Sequence, residues 1–273
     1  MPVSRRTSIP DPLPQRLLAD LAATRGLGLM LDYDGTLAEI ASDPSRAEPL
    51  PEVPQLIDRI AAQDRILVAV VTGRRISEVR ALLQVRSLTR FSGVHGLEIS
   101  DRDGATHFTS AALACAPELD RVRHWLHQHV PNGGGFWIED KEVALGLHYR
   151  NADPDEARPL CDEFSEFVAS NAPSLKLLPL KMLLEAMPKS AGKGLAVRNF
   201  KDRFPRSFVT VYFGDDTTDE DAFAALADDD FGVLVGPPRA SAARYRVANP
   251  DAVMRELRSL ATLNEDQRSA RSG

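Results

Sequence analysis

An apolar run that ends in two aspartates limits the folds open to this chain more than any other stretch of its sequence. Residues 27–31 read LGLML, typical of a strand buried on both faces of a parallel sheet, and we predict a strand at 27–32. Its last residue begins the sequence Asp32-Tyr33-Asp34-Gly35-Thr36. Unpaired carboxylates are costly inside a core, whereas open α/β sheets bind ligands at the carboxyl ends of their strands. We therefore expect Asp32 and Asp34 to be active-site groups at a strand end, with Gly35 allowing a tight turn or a close ligand.

Strand-like and helix-like segments alternate along most of the chain, as in a doubly wound parallel sheet. Further apolar runs predict strands at 66–71, 91–94, 208–213 and 231–235. Apolar positions at helical spacing predict helices at 13–25, 52–63, 76–84 and 250–262, with another that begins near Gly192. The expected fold class is α/β, with a doubly wound, Rossmann-like core.

A block of different character interrupts this alternation. Residues 95–108 predict a hairpin, and the order then becomes αββαββ, with helices at 117–130 and 153–170 and strands at 136–139, 143–149, 175–178 and 182–186. We expect residues 113–186 to form an inserted α+β cap domain, and residues 15–112 and 187–265 to form the core. Hinge linkers are expected near 113 and 187. Residues 1–14 and 266–273 are expected to be a disordered leader and tail.

Composition excludes several classes of partner. The net charge of −6 argues against nucleic acid or an anionic membrane as the main partner. No apolar run reaches the roughly 18 residues of a membrane span. The two cysteines, Cys115 and Cys161, stand in unrelated contexts, which fits a reducing, cytoplasmic location.

Polar residues at the predicted strand ends form a set suited to phosphoryl transfer. In chain order they are Asp32 and Asp34, Thr72 and Gly73, Lys193 at a helix start, and Asp215, Asp216 and Asp219. Two acidic clusters at neighbouring strand ends would repel unless a cation lay between them, and Mg²⁺ prefers carboxylate oxygens. Thr72 offers a hydroxyl and a main-chain N–H to phosphate, and Lys193 offers a positive charge. One carboxylate can be a nucleophile and another a general acid and base.

Each motif also has a simpler reading when it is taken alone. The D-x-D-G-T sequence could be an Asx-rich turn, residues 72–74 a strand exit, and Lys193 a solvated lysine. Asp215, Asp216 and Asp219 could serve only as helix caps, and Thr218 is expected to cap the helix that follows, with Asp221 at the capping-box position. His95 is expected to be a structural hydrogen-bonding residue, and Trp125 and Trp137 to lie in the cap core. Only the combination of motifs favours catalysis.

In this order, the combination resembles the four motifs of the haloacid dehalogenase-like phosphatases: Asp32-Tyr33-Asp34-Gly35-Thr36, Thr72, Lys193, and Gly214-Asp215-Asp216 with Asp219. A narrower resemblance comes from residues within the predicted cap domain and next to it. Residues 93–98 (GVHGLE), 139–141 (EDK), 148–150 (HYR) and 185–188 (EAMP) are similar to motifs of the trehalose-6-phosphate phosphatases. Met187 and Gly192 are small departures, since arginine and a polar residue are usual at those positions.

The resemblance implies a role for each matching residue. Asp32 would be the nucleophile and Asp34 the general acid and base, while Thr72, Gly73 and Lys193 would bind phosphate. Asp32, the main chain of Asp34 and Asp215 would hold Mg²⁺. Glu139, Lys141 and Glu185 would bind the sugar hydroxyls. The implied reaction is the Mg²⁺-dependent hydrolysis of trehalose 6-phosphate, a small sugar phosphate, through an aspartyl-phosphate.

Other readings stay open at the sequence level. The substrate could be sucrose phosphate or a glycosyl-phosphoglycerate, or the chain could be a sugar-phosphate sensor without activity, although a sensor needs no nucleophile. Glu139 and Lys141 could be a surface pair on a hairpin, which contributes little. Glu185 could be a hinge residue, and His148 and Arg150 could serve only cap packing.

Overall fold

A computed structural model describes residues 8–40, 47–86, 89–100 and 103–263 of the chain. These residues fall into two compact units, the first built from the segments before residue 108 and after residue 191, and the second from Phe108–Ala191. The predicted tail, 266–273, and the first half of the predicted leader lie outside the described residues. Within the described part of the chain, no helix has the length and apolar character needed to span a membrane.

Strands and helices alternate over most of the first unit, and the described elements of both units follow in chain order. In chain order the strands are β1 (Asp11–Pro12), β2 (Leu27–Asp32), β3 (Ile66–Val71), β4 (Arg90–Gly93), β5 (Glu98–Ser100), β6 (Thr106–Phe108), β7 (Trp137–Asp140), β8 (Leu145–His148), β9 (Leu175–Leu180), β10 (Leu183–Pro188), β11 (Val209–Gly214), β12 (Phe231–Val235) and β13 (Tyr245–Val247). The helices are α1 (Leu17–Thr24), α2 (Val53–Ala61), α3 (Ile76–Leu83), α4 (Ser110–Ala114), α5 (Ala116–His129), α6 (Pro154–Asn171), α7 (Lys193–Lys201), α8 (Asp219–Ala225) and α9 (Pro250–Ala261).

The first unit is organised around β2. Its sheet has the order β1-β13-β12-β11-β2-β3-β4-β5-β6, and the strands from β1 to β4 in this order pair in parallel. Asp32 lies opposite Val71 on β3, and Leu31 lies opposite Phe213 on β11. Asp32 is the last residue of β2, Thr72 follows β3 and Asp215 follows β11. Because neighbouring parallel strands end at the same edge of a sheet, these three residues lie at one edge.

Both faces of β2 are buried, which explains its continuous apolar sequence. Leu27, Leu29 and Leu31 pack on one face in a core that includes Ile57 of α2 and Leu257 of α9. Met30 points to the other face, into a core with Phe200 of α7 and Phe223 of α8. Helices therefore cover both faces of the sheet, and the prediction of a doubly wound α/β fold is confirmed.

The second unit contains an antiparallel sheet of order β7-β8-β10-β9. One face of this sheet packs on α5 and α6, where Val122 and Phe164 contact a core that includes Leu145, Leu147 and Ala186. Residues two apart on a strand share a face, so the alternate positions face away from these helices. The predicted cap range, 113–186, lies inside this unit.

Three predictions about local structure were wrong. Residues 8–14 are not disordered, because their main chain pairs with the segment around β13: the N–H groups of Asp11 and Leu13 donate to Arg244 and Arg246. Trp137 does not lie in the core of the second unit, since 48% of its surface is exposed. Thr218 makes no side-chain cap bond to α8.

The hydroxyl of Thr218 donates instead to Asp216 Oδ1, at 2.7 Å. Asp221 does not complete a capping box either. Its Oδ2 accepts a hydrogen bond from the main-chain N–H of Gly194, in the first turn of α7, at 2.9 Å. Helix α8 is thus tied to the start of α7, the helix that carries Lys193.

Candidate active site

The end of β2 places Asp32 in a buried, charged environment. Asp32 is 3% exposed, and the ammonium of Lys193 lies 2.9 Å from its Oδ1. The chain then turns at Gly35, whose φ of +77° is unfavourable for other residues. A Cβ on Gly35 would also lie only 2.1 Å from the carboxylate of Asp215, so a side chain here would displace that residue. The glycine of the D-x-D-G-T motif thus allows the ends of β2 and β11 to approach each other.

Asp219 is the hydrogen-bonding centre of the site. Its Oδ1 accepts bonds from Lys193 Nζ and from the hydroxyl of Tyr212, both at 2.8 Å. Its Oδ2 accepts the main-chain N–H groups of Asp215 and Asp216, both at 3.0 Å. Asp219 therefore fixes the loop after β11 and orients Lys193, which in turn contacts Asp32.

Three carboxylates converge at this sheet edge. Oxygens of Asp32, Asp215 and Asp219 lie within 4.8 Å of one another. Burial, and then the charge of Asp219, raise the pKa of Asp32 well above its ordinary value, although Lys193 opposes the shift. Burial and the neighbouring Asp219 and Asp216 raise the pKa of Asp215 to about 7. Hard oxygen donors with surplus negative charge are the set that a divalent cation such as Mg²⁺ prefers, so these residues fit a metal.

Lys193 responds to the same charges in the opposite direction. Burial lowers its pKa, but the charges of Asp219 and Asp32 outweigh this effect, and the pKa lies above its ordinary value. Lys193 is 4% exposed and is held on two sides by carboxylates. It is therefore a fixed positive charge next to Asp32, rather than a solvated lysine at a helix start.

The side chain of Asp34 is held apart from the three carboxylates by Arg74. The guanidinium donates to both carboxylate oxygens, at 2.8 Å from Nε and 2.7 Å from Nη2. Arg74 also lies 5.5 Å from the centre of the Tyr33 ring. No role of its own was predicted for Arg74, although its position next to the Thr72-Gly73 dipeptide was an available signal.

Thr72 and Gly73 form the loop that leaves β3. The main-chain N–H of Thr72 donates to Ser92 at 2.9 Å within the sheet, so the expectation that this N–H faces phosphate was wrong. Its hydroxyl accepts the N–H of Arg74 at 3.1 Å. Gly73 lies next to the imidazole of His95. The main chain of His95 bonds to Thr72 on one side and to Gly192 on the other, which links this loop to the start of α7.

The predicted sugar-binding residues come together within the second unit. Lys141 Nζ lies 2.8 Å from Glu185 Oε1 and 3.6 Å from Glu139 Oε2. Lys141 is 7% exposed and Glu185 is fully buried, so these residues are not a pair on an open surface. His148 Nε2 lies 3.0 Å from Glu139 Oε2. Burial raises the pKa of Glu139, but the His148 hydrogen bond and the Lys141 charge outweigh it, and the pKa lies below its ordinary value.

Fold and site together define the class of this protein. The chain has a doubly wound core with Asp32 at the end of its central strand and an inserted α+β unit, and a haloacid dehalogenase-like hydrolase from Bacteroides thetaiotaomicron shares its fold with a TM-score of 0.60 at 16% identity, over 85% and 98% of the two chains. A family model described as trehalose-phosphatase matches residues 30–251. The chain belongs to the trehalose-phosphatase family.

Individual relatives agree with this assignment. Trehalose-phosphate phosphatase from Mycobacterium tuberculosis strain H37Rv is 30% identical over 272 residues, which cover 93% of this chain and 68% of the relative. The structure of Aspergillus fumigatus trehalose-6-phosphate phosphatase has a TM-score of 0.69 and 26% identity, and the match covers 94% of this chain and 99% of the other. The C-terminal domain of the Candida albicans enzyme shares the fold with a TM-score of 0.77 at 22% identity, over 93% and 98% of the two chains. The resemblance found in the sequence is confirmed.

Proposed function

We propose that this chain hydrolyses trehalose 6-phosphate to trehalose and phosphate through an aspartyl-phosphate on Asp32. The observation that carries the proposal is a buried carboxylate at the end of the central strand, held at 2.9 Å by Lys193, in a member of the trehalose-phosphatase family. A carboxylate nucleophile divides the transfer of the phosphoryl group into two easier steps.

In the first step an oxygen of Asp32 forms a bond to phosphorus while the bond from phosphorus to the sugar oxygen breaks. Asp34 must enter this step protonated, and it gives its proton to that leaving oxygen, so trehalose departs neutral. In the second step Asp34 takes a proton from a water molecule, whose oxygen forms the new bond to phosphorus and releases Asp32. The Arg74 pair orients Asp34, which must exchange this partner for the leaving oxygen during the first step.

Positive charge is needed because the phosphoryl group brings negative charge next to Asp32. Lys193 supplies part of this charge, and we propose that the hydroxyl of Thr72 and the loop at Gly73 complete the phosphate site. We also propose that Asp32, the main chain of Asp34 and Asp215 hold Mg²⁺. The cation would neutralise charge on the phosphate and on the carboxylates. Asp219 has its oxygens engaged by four donors and acts by positioning Lys193 and the loop that carries Asp215.

A substrate panel tests the proposed reaction. Phosphate release should be fastest, as kcat/KM, with trehalose 6-phosphate, compared with sucrose 6-phosphate, a glucosyl-phosphoglycerate and glucose 6-phosphate. Asp32→Asn keeps the shape of the side chain but removes the nucleophile, so turnover should fall by a factor of about a thousand or more. Near-normal turnover by Asp32→Asn would contradict the aspartyl-phosphate, and binding without turnover by the normal chain would favour the sensor.

We further propose that Glu139, Lys141 and Glu185 bind the sugar hydroxyls. Carboxylates and an ammonium form charge-assisted hydrogen bonds, and losing one or two of these should reduce kcat/KM for trehalose 6-phosphate about ten- to a thousandfold. The measurement is the ratio of kcat/KM for trehalose 6-phosphate to that for p-nitrophenyl phosphate, in Glu139→Gln and Lys141→Ala. Glu166→Gln, an exposed carboxylate on α6, is the matched control and should leave the ratio unchanged. Equal losses on both substrates would mean that the cluster supports only the fold.

A further inference from the structure

The face of the second unit's sheet that points away from α5 and α6 carries a continuous set of functional side chains. In register across β7, β8 and β10, Trp137 lies opposite His148, and His148 lies opposite Leu183. Two residues along, Glu139 lies opposite Gly146, and Gly146 opposite Glu185. These positions alternate with the residues that pack on the helices, such as Leu145, Leu147 and Ala186. Trp137 therefore shares its face of the sheet with the carboxylates of the predicted sugar site.

Trp137 is held in one orientation on this face. Its indole stacks on the imidazole of His148, with ring centres 3.4 Å apart and ring planes 11° from parallel. His148 is itself fixed by its hydrogen bond to Glu139. Although one face of the indole is covered, 48% of the residue is exposed, which leaves the opposite face of the ring to solvent. The tryptophan is thus an ordered, open aromatic surface, coupled through one residue to Glu139.

Gly146 keeps the middle strand clear of side chains between Glu139 and Glu185. It is the residue of the middle strand that lies opposite both. A Cβ at this position would stand 3.5 Å from the Cβ of Glu139 and 2.8 Å from a methyl group of Leu183. The ammonium of Lys141 lies between the two carboxylates instead, 2.8 Å from Glu185 Oε1 and 3.6 Å from Glu139 Oε2. The open face therefore carries the cluster of Glu139, Lys141 and Glu185, with the Trp137–His148 stack next to it.

We propose that the open face of Trp137 stacks on a pyranose ring of the substrate and so makes Trp137 a specificity-determining residue. This inference rests on the proposed function, because it places the ring beside carboxylates that bind sugar hydroxyls. A pyranose has apolar C–H faces and a rim of hydroxyl groups. An aromatic ring matches the apolar face, while carboxylates at its edge accept from the rim. The stack favours a glycosyl phosphate over a small phosphate ester that has no pyranose ring.

Kinetics of two variants test the stacking. Trp137→Ala should raise KM for trehalose 6-phosphate about three- to tenfold, the range expected for one lost aromatic contact. Trp137→Phe keeps an aromatic ring at this position and should recover most of this loss. Leu113→Ala, another exposed apolar residue of the second unit, is the matched control. The proposal is overturned if Trp137→Ala and Trp137→Phe leave the ratio of kcat/KM between trehalose 6-phosphate and p-nitrophenyl phosphate within twofold of normal.

Fluorescence gives a readout that needs no turnover. The chain has two tryptophans, and Trp125 is buried against Phe164, so Trp125→Phe leaves Trp137 as the reporter. Trehalose should change the emission of this variant in a saturable way, whereas inorganic phosphate should not. An emission spectrum that trehalose leaves unchanged at concentrations that inhibit turnover would refute the stacking. If the normal chain releases no phosphate from trehalose 6-phosphate, the proposed function fails, and the titration with trehalose still decides whether Trp137 binds a sugar.

Discussion

Asp219 holds the site together through hydrogen bonds, whereas Asp215 beside it is a proposed metal ligand. Asp219 has no exposed surface, and its oxygens accept two side-chain donors and two main-chain N–H groups. Removing its charge would leave Lys193 with one fewer carboxylate in a buried site. Lys193 keeps its pair with Asp32, 2.9 Å away, so the expected loss comes from the hydrogen bonds that the buried acceptor no longer makes well.

Asp219→Asn should therefore lower the free energy of unfolding by about 1–3 kcal/mol. The amide keeps one acceptor oxygen but places a donor against an N–H group or an ammonium. Urea unfolding in the presence of a chelator measures the effect without any contribution from bound metal. Asp216→Asn, on the exposed side of the same loop, is the control and should change stability by about 1 kcal/mol or less. Similar losses in the two variants would show that the four hydrogen bonds of Asp219 contribute little.

Residue identities at the strand ends could be predicted because the chemistry of phosphoryl transfer calls for few side-chain types. The hydrogen-bonding partner of each of these residues could not be predicted. Arg74 binds Asp34 across 40 positions of sequence, and Tyr212 reaches Asp219 from the strand before the loop. Such pairings depend on how strands and helices pack, which local sequence patterns do not record. Thr72 shows the same limit, since its N–H joins the sheet ladder with Ser92 instead of facing a ligand.

At the scale of elements, the start of α3 depends on a residue from another strand. The residue before this helix, Arg75, makes no side-chain cap bond. Instead Glu98 of β5, which is 4% exposed, accepts the N–H of Ile76 at 2.8 Å and pairs with Arg75. A carboxylate at this position satisfies an N–H group that the helix leaves free and interacts favourably with the helix dipole. Because α3 follows the loop at Thr72 directly, Glu98 also fixes the exit of that loop.

Glu98→Ala should destabilise the protein by about 1–3 kcal/mol, since it removes a buried acceptor from an N–H group. Glu98→Gln keeps an oxygen and should lose less. KM for p-nitrophenyl phosphate should follow the same order, because the loop at residues 72–74 loses its anchor at one end. Glu78→Ala removes an exposed carboxylate from the first turn of α3 and should stay within about 0.5 kcal/mol of normal. If Glu98→Ala behaved like Glu78→Ala in both assays, the cap would have no measurable role.

Elements with a strong pattern were predicted with accurate bounds. The residues predicted for β2, β3 and β12 are those that form these strands, because each is an apolar run buried on both faces. Strands β1 and β13 were not predicted; they pair with each other over only two positions, and β13 is only partly buried. Helix α4 was not predicted either; it has five residues and begins after the capping side chain of Thr109. Short elements at a sheet edge form where neighbouring strands offer main-chain partners, and this information is not local.

At the scale of the whole molecule, the clustered carboxylates make stability depend on both pH and metal. In the metal-free protein the pKa of Asp215 is about 7, above its ordinary value of 3.8, and the pKa of Asp32 is raised as well. Between pH 3.8 and about pH 7, Asp215 is therefore protonated to a greater extent in the folded chain than in the unfolded chain. The contribution of Asp215 to stability is therefore present below its ordinary pKa and is lost as pH rises toward 7.

Mg²⁺ should reverse this dependence, because metal binds the deprotonated carboxylates and must compete with protons. We expect the increase in Tm on adding Mg²⁺ to be larger at about pH 8 than at about pH 5, since a ligand that binds only the folded state raises its stability. Asp215→Asn cannot titrate at this position, so the difference in Tm between it and the normal chain isolates the effect. The Tm of the normal chain minus the Tm of Asp215→Asn should fall as pH rises in a chelator. With Mg²⁺ the same quantity should increase with pH. A difference that does not vary with pH under either condition would show that Asp215 neither titrates in this range nor holds the metal.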